Sequence, residues 1–344
     1  ALITSGYAGY FGWHSPIQAL HHDMTTSVSY RKIFVVGCPR SGTSWVTNLI
    51  ASHPRVVTVP IETHVYPLIY EPFVRLPDQG LRSRLCSWKG IIRRYGPLPL
   101  LLGFESSDIW RGIWRDYQIL NKKDSHGPRL LADSYTFKAL LQTAQSRPGR
   151  DLQKAEQVIC DLFDLFFSRQ GHPGDTFLEK TPMHIRYVDR ILSRFPEARV
   201  VEVIRDGRDV CASYKALAQQ YAWASLGTDG VMRQWKDCIE HGERWRANDS
   251  FSKRIQSLRY EHLSQDPRAC LQQIFEFAAL DWTAPQISAT VEMADIRRVK
   301  DRAAGEYVRK GAVGDWRQSL SAAELEICEA VAGSQLRLLG YTDR

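Results

Sequence analysis

The sequence RKIFVVGCPRSGTSWVTNLIASHPRVVTVP, residues 31–60, decides the fold class of this chain. Residues 33–36 form a short apolar run rich in β-branched side chains, which predicts a buried strand of a parallel sheet. The run ends at a glycine, and the next seven residues, CPRSGTS, contain three hydroxyl side chains and one arginine. From Trp45 onward the apolar residues have helical spacing, and the helix is expected to end before His53 and Pro54.

A strand, a hydroxyl-rich loop and a helix start, in this order, present backbone N–H groups and the positive end of a helix dipole to an anion. The spacing GCPRSGTS nearly fits the nucleotide-triphosphate loop G-x-x-x-x-G-K-[ST], but Thr43 stands where that loop has its lysine. The cation lies inside the loop instead, at Arg40, where a guanidinium can bind a single 5′-phosphate through two hydrogen bonds. The alternative interpretation is an ordinary strand–turn–helix corner without a ligand.

Composition narrows the possible partners. A chain of 344 residues can bury one large α/β core or two modest ones. Its formal net charge of +7 favours an anionic ligand. No zinc-finger, basic-zipper or RNA-binding pattern is present in the sequence, so we do not expect nucleic acid as a partner. No apolar run approaches the ~18 residues of a membrane helix, so no membrane segment is predicted in this chain.

The seven cysteines are scattered without a C-x-x-C pair, which predicts free thiols in a reducing compartment. We therefore expect a cytoplasmic location. The Golgi lumen is the alternative, because the sequence begins at Ala1 rather than at methionine and leaves room for an upstream segment. Cys38 lies in the anion loop, where a thiol could be activated, although a small residue packed under the loop is the simpler interpretation. No metal-ligand spacing is visible, so no metal is predicted.

The whole pattern predicts a three-layer α/β fold with a central, mostly parallel sheet flanked by helices. Residues 1–30 are expected to form an N-terminal arm, and residues 31–344 a single domain. Within that domain, residues 70–175 predict a mainly helical insertion that covers an acceptor pocket. Further strands are predicted at 55–59, 177–180, 198–204 and 257–260, and helices at 152–167, 185–195, 210–222, 228–247, 266–279 and 321–338.

Two further polar groups follow predicted strands. Strand 55–59 brings Glu62 to the carboxyl edge of the sheet, where open α/β sheets bind ligands, so Glu62 is a candidate general base. The alternative is a helix-start acid that binds backbone N–H groups. Strand 198–204 leads to Arg205, and Ser213 follows two turns into the next helix, which predicts a second anion pocket beside the first. The alternative there is an N-capping aspartate among surface arginines.

Together these pieces resemble the sulfotransferases that use 3′-phosphoadenosine-5′-phosphosulfate (PAPS). Four motifs occur in the family's order across roughly residues 32–318. The first is similar to the family's 5′-phosphosulfate loop, and the resemblance implies that it holds the 5′-phosphate and sulfate, with its last residue near the adenine. Its members here are Arg40, Ser41, Gly42, Thr43, Ser44 and Trp45.

The other motifs concern the 3′-phosphate and the base. RDGRDVCASY resembles the 3′-phosphate motif and implies that Arg205 and Ser213 bind that group. RKGAVGDW resembles a loop that closes on the 3′-phosphate, and its first residues are Arg309, Lys310 and Gly311. LRYE resembles a strand end near the adenine, which implies a contact from Tyr260.

The catalytic base depends on the branch of the family. The cytosolic branch carries its catalytic histidine in a K-T-H context, but this chain has Pro182 after Lys180 and Thr181, so that role is not carried over. Residues 53–65 instead resemble the Golgi-type and related bacterial members, in which a glutamate serves as base. The resemblance therefore implies Glu62 as base, with His64 and His184 in reserve.

The implied activity is transfer of a sulfuryl group from PAPS to an acceptor hydroxyl, which leaves adenosine 3′,5′-bisphosphate (PAP). Arg40, Lys180 and the loop N–H groups would stabilise the leaving phosphate without a metal. A small-molecule alcohol is the favoured acceptor, and a carbohydrate or a protein tyrosine is the alternative. A P-loop kinase or NTPase and a non-catalytic anion-binding module are the alternatives of another class. The oligomeric state is left open.

Overall fold

A five-stranded parallel sheet forms the centre of the computed structural model, which describes residues 30–78, 106–122, 131–293 and 311–342. The strands are β1 (Arg31–Gly37), β2 (Val56–Thr58), β3 (Thr176–Lys180), β4 (Arg199–Ile204) and β5 (Ile255–Arg259). Their order is β2-β3-β1-β4-β5, and every neighbouring pair is parallel. The predicted α/β fold with a mostly parallel sheet is confirmed.

Helices lie on both faces of this sheet. In chain order they are α1 (Thr43–Ala51), α2 (Glu71–Asp78), α3 (Ser106–Lys122), α4 (Ser134–Ser146), α5 (Asp151–Gln170), α6 (Val188–Arg194), α7 (Gly207–Ala218), α8 (Gly227–Arg246), α9 (Tyr260–Gln265), α10 (Pro267–Ala278), α11 (Ala284–Met293), α12 (Trp316–Ser319) and α13 (Ala322–Leu338). A π-helical turn, Tyr66–Tyr70, precedes α2, and 3₁₀ turns occur at Pro182–Tyr187, Ala222–Ala224 and Ser252–Arg254. None of the helices described here is both long and apolar enough to cross a membrane.

The apolar side chains of β1 alternate between two separate cores. Phe34 and Val36 belong to the larger core, which includes side chains of α5 to α8, and Ile33 and Val35 belong to the smaller core with α1 and α10. All four side chains are buried. A parallel strand is covered on both faces, which explains why the sequence of β1 is continuously apolar rather than alternating.

Several predicted boundaries are wrong. The helix predicted at 210–222 begins at Gly207, because Asp206 caps it by accepting a hydrogen bond from the Arg208 N–H at 2.9 Å, and it ends at Ala218. The helix predicted at 185–195 begins instead as a 3₁₀ turn that Pro182 opens, before α6. Tyr260, predicted to end a strand, is the first residue of α9.

Within the predicted insertion at 70–175, the described residues form the helices α2, α3, α4 and α5, with non-helical turns at 131–133, 147–150 and 171–175. Residues 79–105 and 123–130, and residues 1–29 of the predicted N-terminal arm, lie outside the described residues. The sheet places the carboxyl end of β1 between those of β3 and β4, and this is the edge at which open α/β sheets bind ligands.

Candidate active site

The loop after β1 depends on two glycines for its shape. Gly37 has a φ of 143°, and a Cβ atom there would collide with the carbonyl oxygen of Val203 on β4. Gly42 has a φ of 97°, and a Cβ atom there would collide with the ring of Tyr260. Glycine therefore lets the loop turn in the left-handed region and pack directly against its neighbours.

The start of α1 is arranged to receive an anion. Its N-cap is Gly42, and no side chain of the described residues caps its first turn, which begins with Thr43 and Ser44. Just before it, the hydroxyl of Ser41 is fully buried and has no hydrogen-bond partner among the residues the structure covers. A buried polar group without a partner costs about 1–3 kcal/mol, which a bound anion would offset.

Arg40 joins this loop to the second predicted anion motif. Its φ of 74° lies in the left-handed region, which costs a non-glycine residue roughly 1–3 kcal/mol. In this conformation its Nε donates a hydrogen bond to the Ser213 hydroxyl on α7 at 3.2 Å. The two motifs, separated by 173 positions in the chain, therefore meet at one place.

Arg205 extends the same cationic surface from the end of β4. Its Nη1 donates to the carbonyl of Arg40 at 3.2 Å, and its Nη2 donates to the carbonyl of Ala312 at 2.9 Å. The guanidinium carbon lies 4.2 Å from the ring centre of Tyr260, a distance typical of a cation–π contact. Its buried Nε has no hydrogen-bond partner in the described ranges.

The third motif packs on the first two. Tyr260 donates a hydrogen bond from its hydroxyl to the carbonyl of Gly311 at 2.8 Å, and Asp209 accepts hydrogen bonds from the backbone of residues 314 and 316. Trp45 also contacts Tyr260, with ring centres 5.7 Å apart. The predicted ligands Arg309 and Lys310 lie outside the described residues.

Glu62 lies on the carboxyl side of β2 and is held by two partners. The Lys180 Nζ donates to its Oε1 at 2.8 Å, and the His64 Nε2 lies 3.2 Å from its Oε2. Burial by itself would raise the pKa of Glu62, but the charge of Lys180 and the hydrogen bond from His64 outweigh it. The pKa of Glu62 is therefore held well below its usual range, so this carboxylate is ionised near neutral pH.

A buried polar network supports the segment that carries Glu62. Thr181 accepts hydrogen bonds at its hydroxyl from the N–H groups of Thr63 at 3.0 Å and His64 at 3.3 Å, and it donates to Glu179 Oε1 at 2.6 Å. The Thr63 hydroxyl donates to the same carboxylate oxygen at 2.7 Å. These bonds hold His64 at its left-handed φ of 51°.

His184 belongs to this network rather than to the open site. Its side chain is fully buried, and its Nδ1 lies 3.0 Å from Glu179 Oε2. Burial would raise the pKa of Glu179, but His184 and the two threonine hydroxyls outweigh it and lower that pKa. Sequence reasoning missed Glu179, although a charged residue inside an otherwise apolar strand was a signal for a buried polar partner.

The remaining candidate groups do not add chemistry to the site. Cys38 is buried, and burial raises the pKa of its thiol, which supports its interpretation as a small packing residue. The six cysteines within the described ranges are all free and buried. In the same ranges, no three His, Cys, Asp or Glu side chains are grouped as metal ligands.

Comparisons with known proteins agree with this architecture. The chain is 25% identical over 304 residues to an uncharacterised protein of Aquifex aeolicus, covering 84% of this chain but only 31% of that protein's length. It is 24% identical to sulfotransferase 1A1 of Bos taurus over 229 residues, which are 54% of this chain and 76% of the relative.

Solved structures share the fold. Sulfotransferase STF9 from Mycobacterium avium superimposes with a TM-score of 0.51 and 16% identity, over 94% of this chain and 80% of that one. Mouse sulfotransferase SULT7A1, solved in complex with PAP, gives a TM-score of 0.50 and 13% identity, over 92% and 89% of the two chains. The model of the sulfotransferase family matches residues 32–284, so this chain belongs to the sulfotransferase family.

Proposed function

We propose that this chain transfers a sulfuryl group from PAPS to an acceptor hydroxyl and releases PAP. One observation carries the proposal: Arg40 donates to Ser213 while Arg205 donates to the backbone of Arg40. These two hydrogen bonds bring the arginines of the two predicted anion-binding motifs side by side, so that they form one continuous cationic surface. A nucleotide with phosphate groups at both its 5′ and 3′ positions has the charge distribution that such a surface binds.

Two polar groups without a partner among the described residues, the Ser41 hydroxyl and the Arg205 Nε, fit this donor. The Ser41 hydroxyl and the uncapped start of α1 would bind the 5′-phosphate and the sulfate, together with Arg40. The Arg205 Nε and the Ser213 hydroxyl would bind the 3′-phosphate. The rings of Trp45 and Tyr260 lie beside the loop, where they would contact the adenine.

Glu62 is proposed to take the proton of the acceptor hydroxyl as its oxygen bonds to sulfur and the bond from sulfur to the 5′-phosphate oxygen breaks. In the structure Glu62 is paired with Lys180. We infer that Lys180 turns to the anionic donor when it binds and stabilises the leaving phosphate. Glu62 then loses one of the two partners that lower its pKa and becomes a stronger base.

The alternatives differ in which residues they need. A kinase or NTPase would need a loop lysine at the position of Thr43, and membership of the sulfotransferase family disfavours that class. A non-catalytic anion-binding module would use Arg40 and Arg205 but would have no need for Glu62 and Lys180. A small-molecule alcohol stays the proposed acceptor, and a carbohydrate or a tyrosyl peptide is the alternative. A cytoplasmic location also stays a prediction.

The test is a transfer assay with sulfur-labelled PAPS and a panel of phenols, aliphatic alcohols, sugars and tyrosyl peptides. Glu62→Gln should lower turnover by about two to four powers of ten, because it removes the base, and should leave the Kd for PAP within about twofold. Glu197→Gln, on an exposed side chain before β4, is the matched control and should change neither value. Full turnover of Glu62→Gln would move the assignment to His64, and absence of any transfer would overturn the enzymatic function.

A further inference from the structure

Asp209 is a buried carboxylate that the proposed chemistry does not use. It lies in the first turn of α7, and only 1% of its surface is exposed. Its Oδ2 accepts a hydrogen bond from the Gly314 N–H at 2.8 Å, and its Oδ1 accepts one from the Trp316 N–H at 3.0 Å. Both carboxylate oxygens therefore bind the backbone of residues 311–316, here called the 311–316 loop, which is more than 100 positions away in the chain.

The 311–316 loop in turn holds Arg205. Its Ala312 carbonyl accepts from the Arg205 Nη2 at 2.9 Å, and its Gly311 carbonyl accepts from the Tyr260 hydroxyl at 2.8 Å. Arg205 is thus fixed between two carbonyl groups and an aromatic ring, and its buried Nε has no hydrogen-bond partner among the described residues. The Arg205 Nη2 lies 3.9 Å from Asp209 Oδ2, so the carboxylate also offsets the charge of the guanidinium from behind.

The end of the 311–316 loop is anchored by packing as well. Trp316 is buried, and the guanidinium carbons of Arg208 and Arg317 lie 3.9 Å and 4.4 Å from its ring centre. Gly314 has a φ of 75°, in the left-handed region, which turns its N–H toward Asp209. Without Asp209, the half-buried Gly314 N–H and the buried Trp316 N–H would lose their partner while this packing stays in place.

We propose that Asp209 is a positioning residue that makes donor binding selective for the 3′-phosphate, by holding the 311–316 loop so that its Ala312 carbonyl fixes Arg205. This inference rests on the proposed function, because it assumes a donor with a 3′-phosphate. Asp209 itself touches no ligand, since both of its oxygens are occupied by the protein backbone. Its effect should therefore appear in the discrimination between nucleotides rather than in every step of the reaction.

The test compares the Kd values of PAP and of adenosine 5′-phosphate by calorimetry. In Asp209→Asn, one carboxylate oxygen becomes an NH₂ group that faces an N–H donor, so the 311–316 loop loses a hydrogen bond. We expect the affinity for PAP to fall roughly tenfold and the affinity for adenosine 5′-phosphate to stay within about twofold. Asp229→Asn, the same change on an exposed side chain of α8, should leave both affinities unchanged.

Coupling to Arg205 gives the second measurement. Arg205→Ala should abolish the preference for PAP, and adding Asp209→Asn to it should cost no further affinity, because the two residues act through one contact. Additive losses would overturn the proposal. Equal losses of both nucleotides in Asp209→Asn, or no loss, would also overturn it.

Gly314→Ala tests the same contact from the loop, in case Asp209→Asn does not fold. A side chain at this φ is strained and would approach Arg317, so the loop should move away from Asp209 and the preference for PAP should again fall. If Asp209→Asn and Gly314→Ala both keep the wild-type preference for PAP over adenosine 5′-phosphate, the role proposed for Asp209 is wrong, but the proposed function stands. If the wild-type protein has no preference for PAP, the proposed function itself fails.

Discussion

The ion pair of Glu62 and Lys180 sets the acid–base properties of the site at the scale of single residues. Each oxygen of the Glu62 carboxylate has one partner, Lys180 for Oε1 and His64 for Oε2. The carboxylate therefore stays ionised although burial alone would raise its pKa. A base of low pKa is weak, because proton transfer is most efficient when the pKa of the base lies near the working pH. If Glu62 is the base, as we propose, the pair has to loosen before it can act.

Lys180→Met should shift the acid limb of the pH profile. In the wild-type protein the pKa of Glu62 is lowered, so the base form and kcat/KM should persist to pH values below the usual glutamate range of about 4.3. Without Lys180 the raising effect of burial remains, so we expect the acid limb of kcat/KM to move to higher pH, with a lower maximum because a leaving-group donor is lost.

Lys215→Met is the control for this profile. Lys215 is half exposed and pairs with Glu324 rather than with Glu62, so its removal should leave the acid limb in place. An acid limb that stays unchanged in Lys180→Met would show that this limb does not report the Glu62 carboxyl.

At the scale of elements, the end of β3 supports the segment that follows β2. The Thr181 hydroxyl accepts hydrogen bonds from two backbone N–H groups of that segment and donates one to the Glu179 carboxylate. Beyond the last backbone hydrogen bond between the two strands, from the Val59 N–H to the Leu178 carbonyl, side-chain hydrogen bonds thus continue the junction. The position of Glu62 follows from this junction.

Thr181→Val should separate positioning from donor binding. Valine keeps the shape of threonine but leaves the N–H groups of Thr63 and His64 without their partner, so Glu62 should lose its alignment. We expect kcat to fall about tenfold, the Kd for PAP to stay within about twofold, and Thr181→Ser to restore kcat.

Thr176→Val is the matched control for this prediction. It is the same change at the other end of β3, where the Thr176 hydroxyl is buried without a hydrogen-bond partner among the described residues. It should leave kcat unchanged and make the protein no less stable. Equal losses of kcat in Thr176→Val and Thr181→Val would contradict the positioning role.

Elements of this protein were predictable in type but not always in extent. The apolar runs of β1 and β4 and the spacing of α1 are local patterns, and they gave the correct strands and helix. Apolar spacing does not show that α7 begins at Gly207, because its start is set by the polar cap of Asp206. The 3₁₀ turn before α6 is not predicted either, because an opening proline is compatible with either kind of helix.

At the scale of the whole molecule, the core that stabilises the fold and the residues of the candidate site lie at different places on the sheet. Leu271 on α10 is fully buried in the smaller core and belongs to none of the four motifs of the candidate site. The site lies at the carboxyl edge of the sheet, whereas this core lies against one face. A loss of packing there should weaken the fold without changing how the folded protein binds its ligand.

Leu271→Ala should lower the free energy of unfolding by about 2–5 kcal/mol, because it removes buried methyl groups and leaves a cavity. Urea unfolding followed by circular dichroism measures this change. The Kd for PAP, measured well below the unfolding transition, should match that of the wild-type protein. A weaker Kd in the folded variant would show that the smaller core also shapes the site.

The sequence by itself determined the fold class, the strand–loop–helix unit after β1 and the family, because these depend on local spacing and on an ordered set of motifs. Only the tertiary structure decided that Arg40 meets Ser213, that Lys180 pairs with Glu62 and that His184 is buried against Glu179. Two of these three contacts join residues more than 100 positions apart, and the third depends on how the turn after β3 folds back under the sheet. No local pattern encodes the two long-range contacts, since they form only when the parallel strands bring their carboxyl ends to one edge.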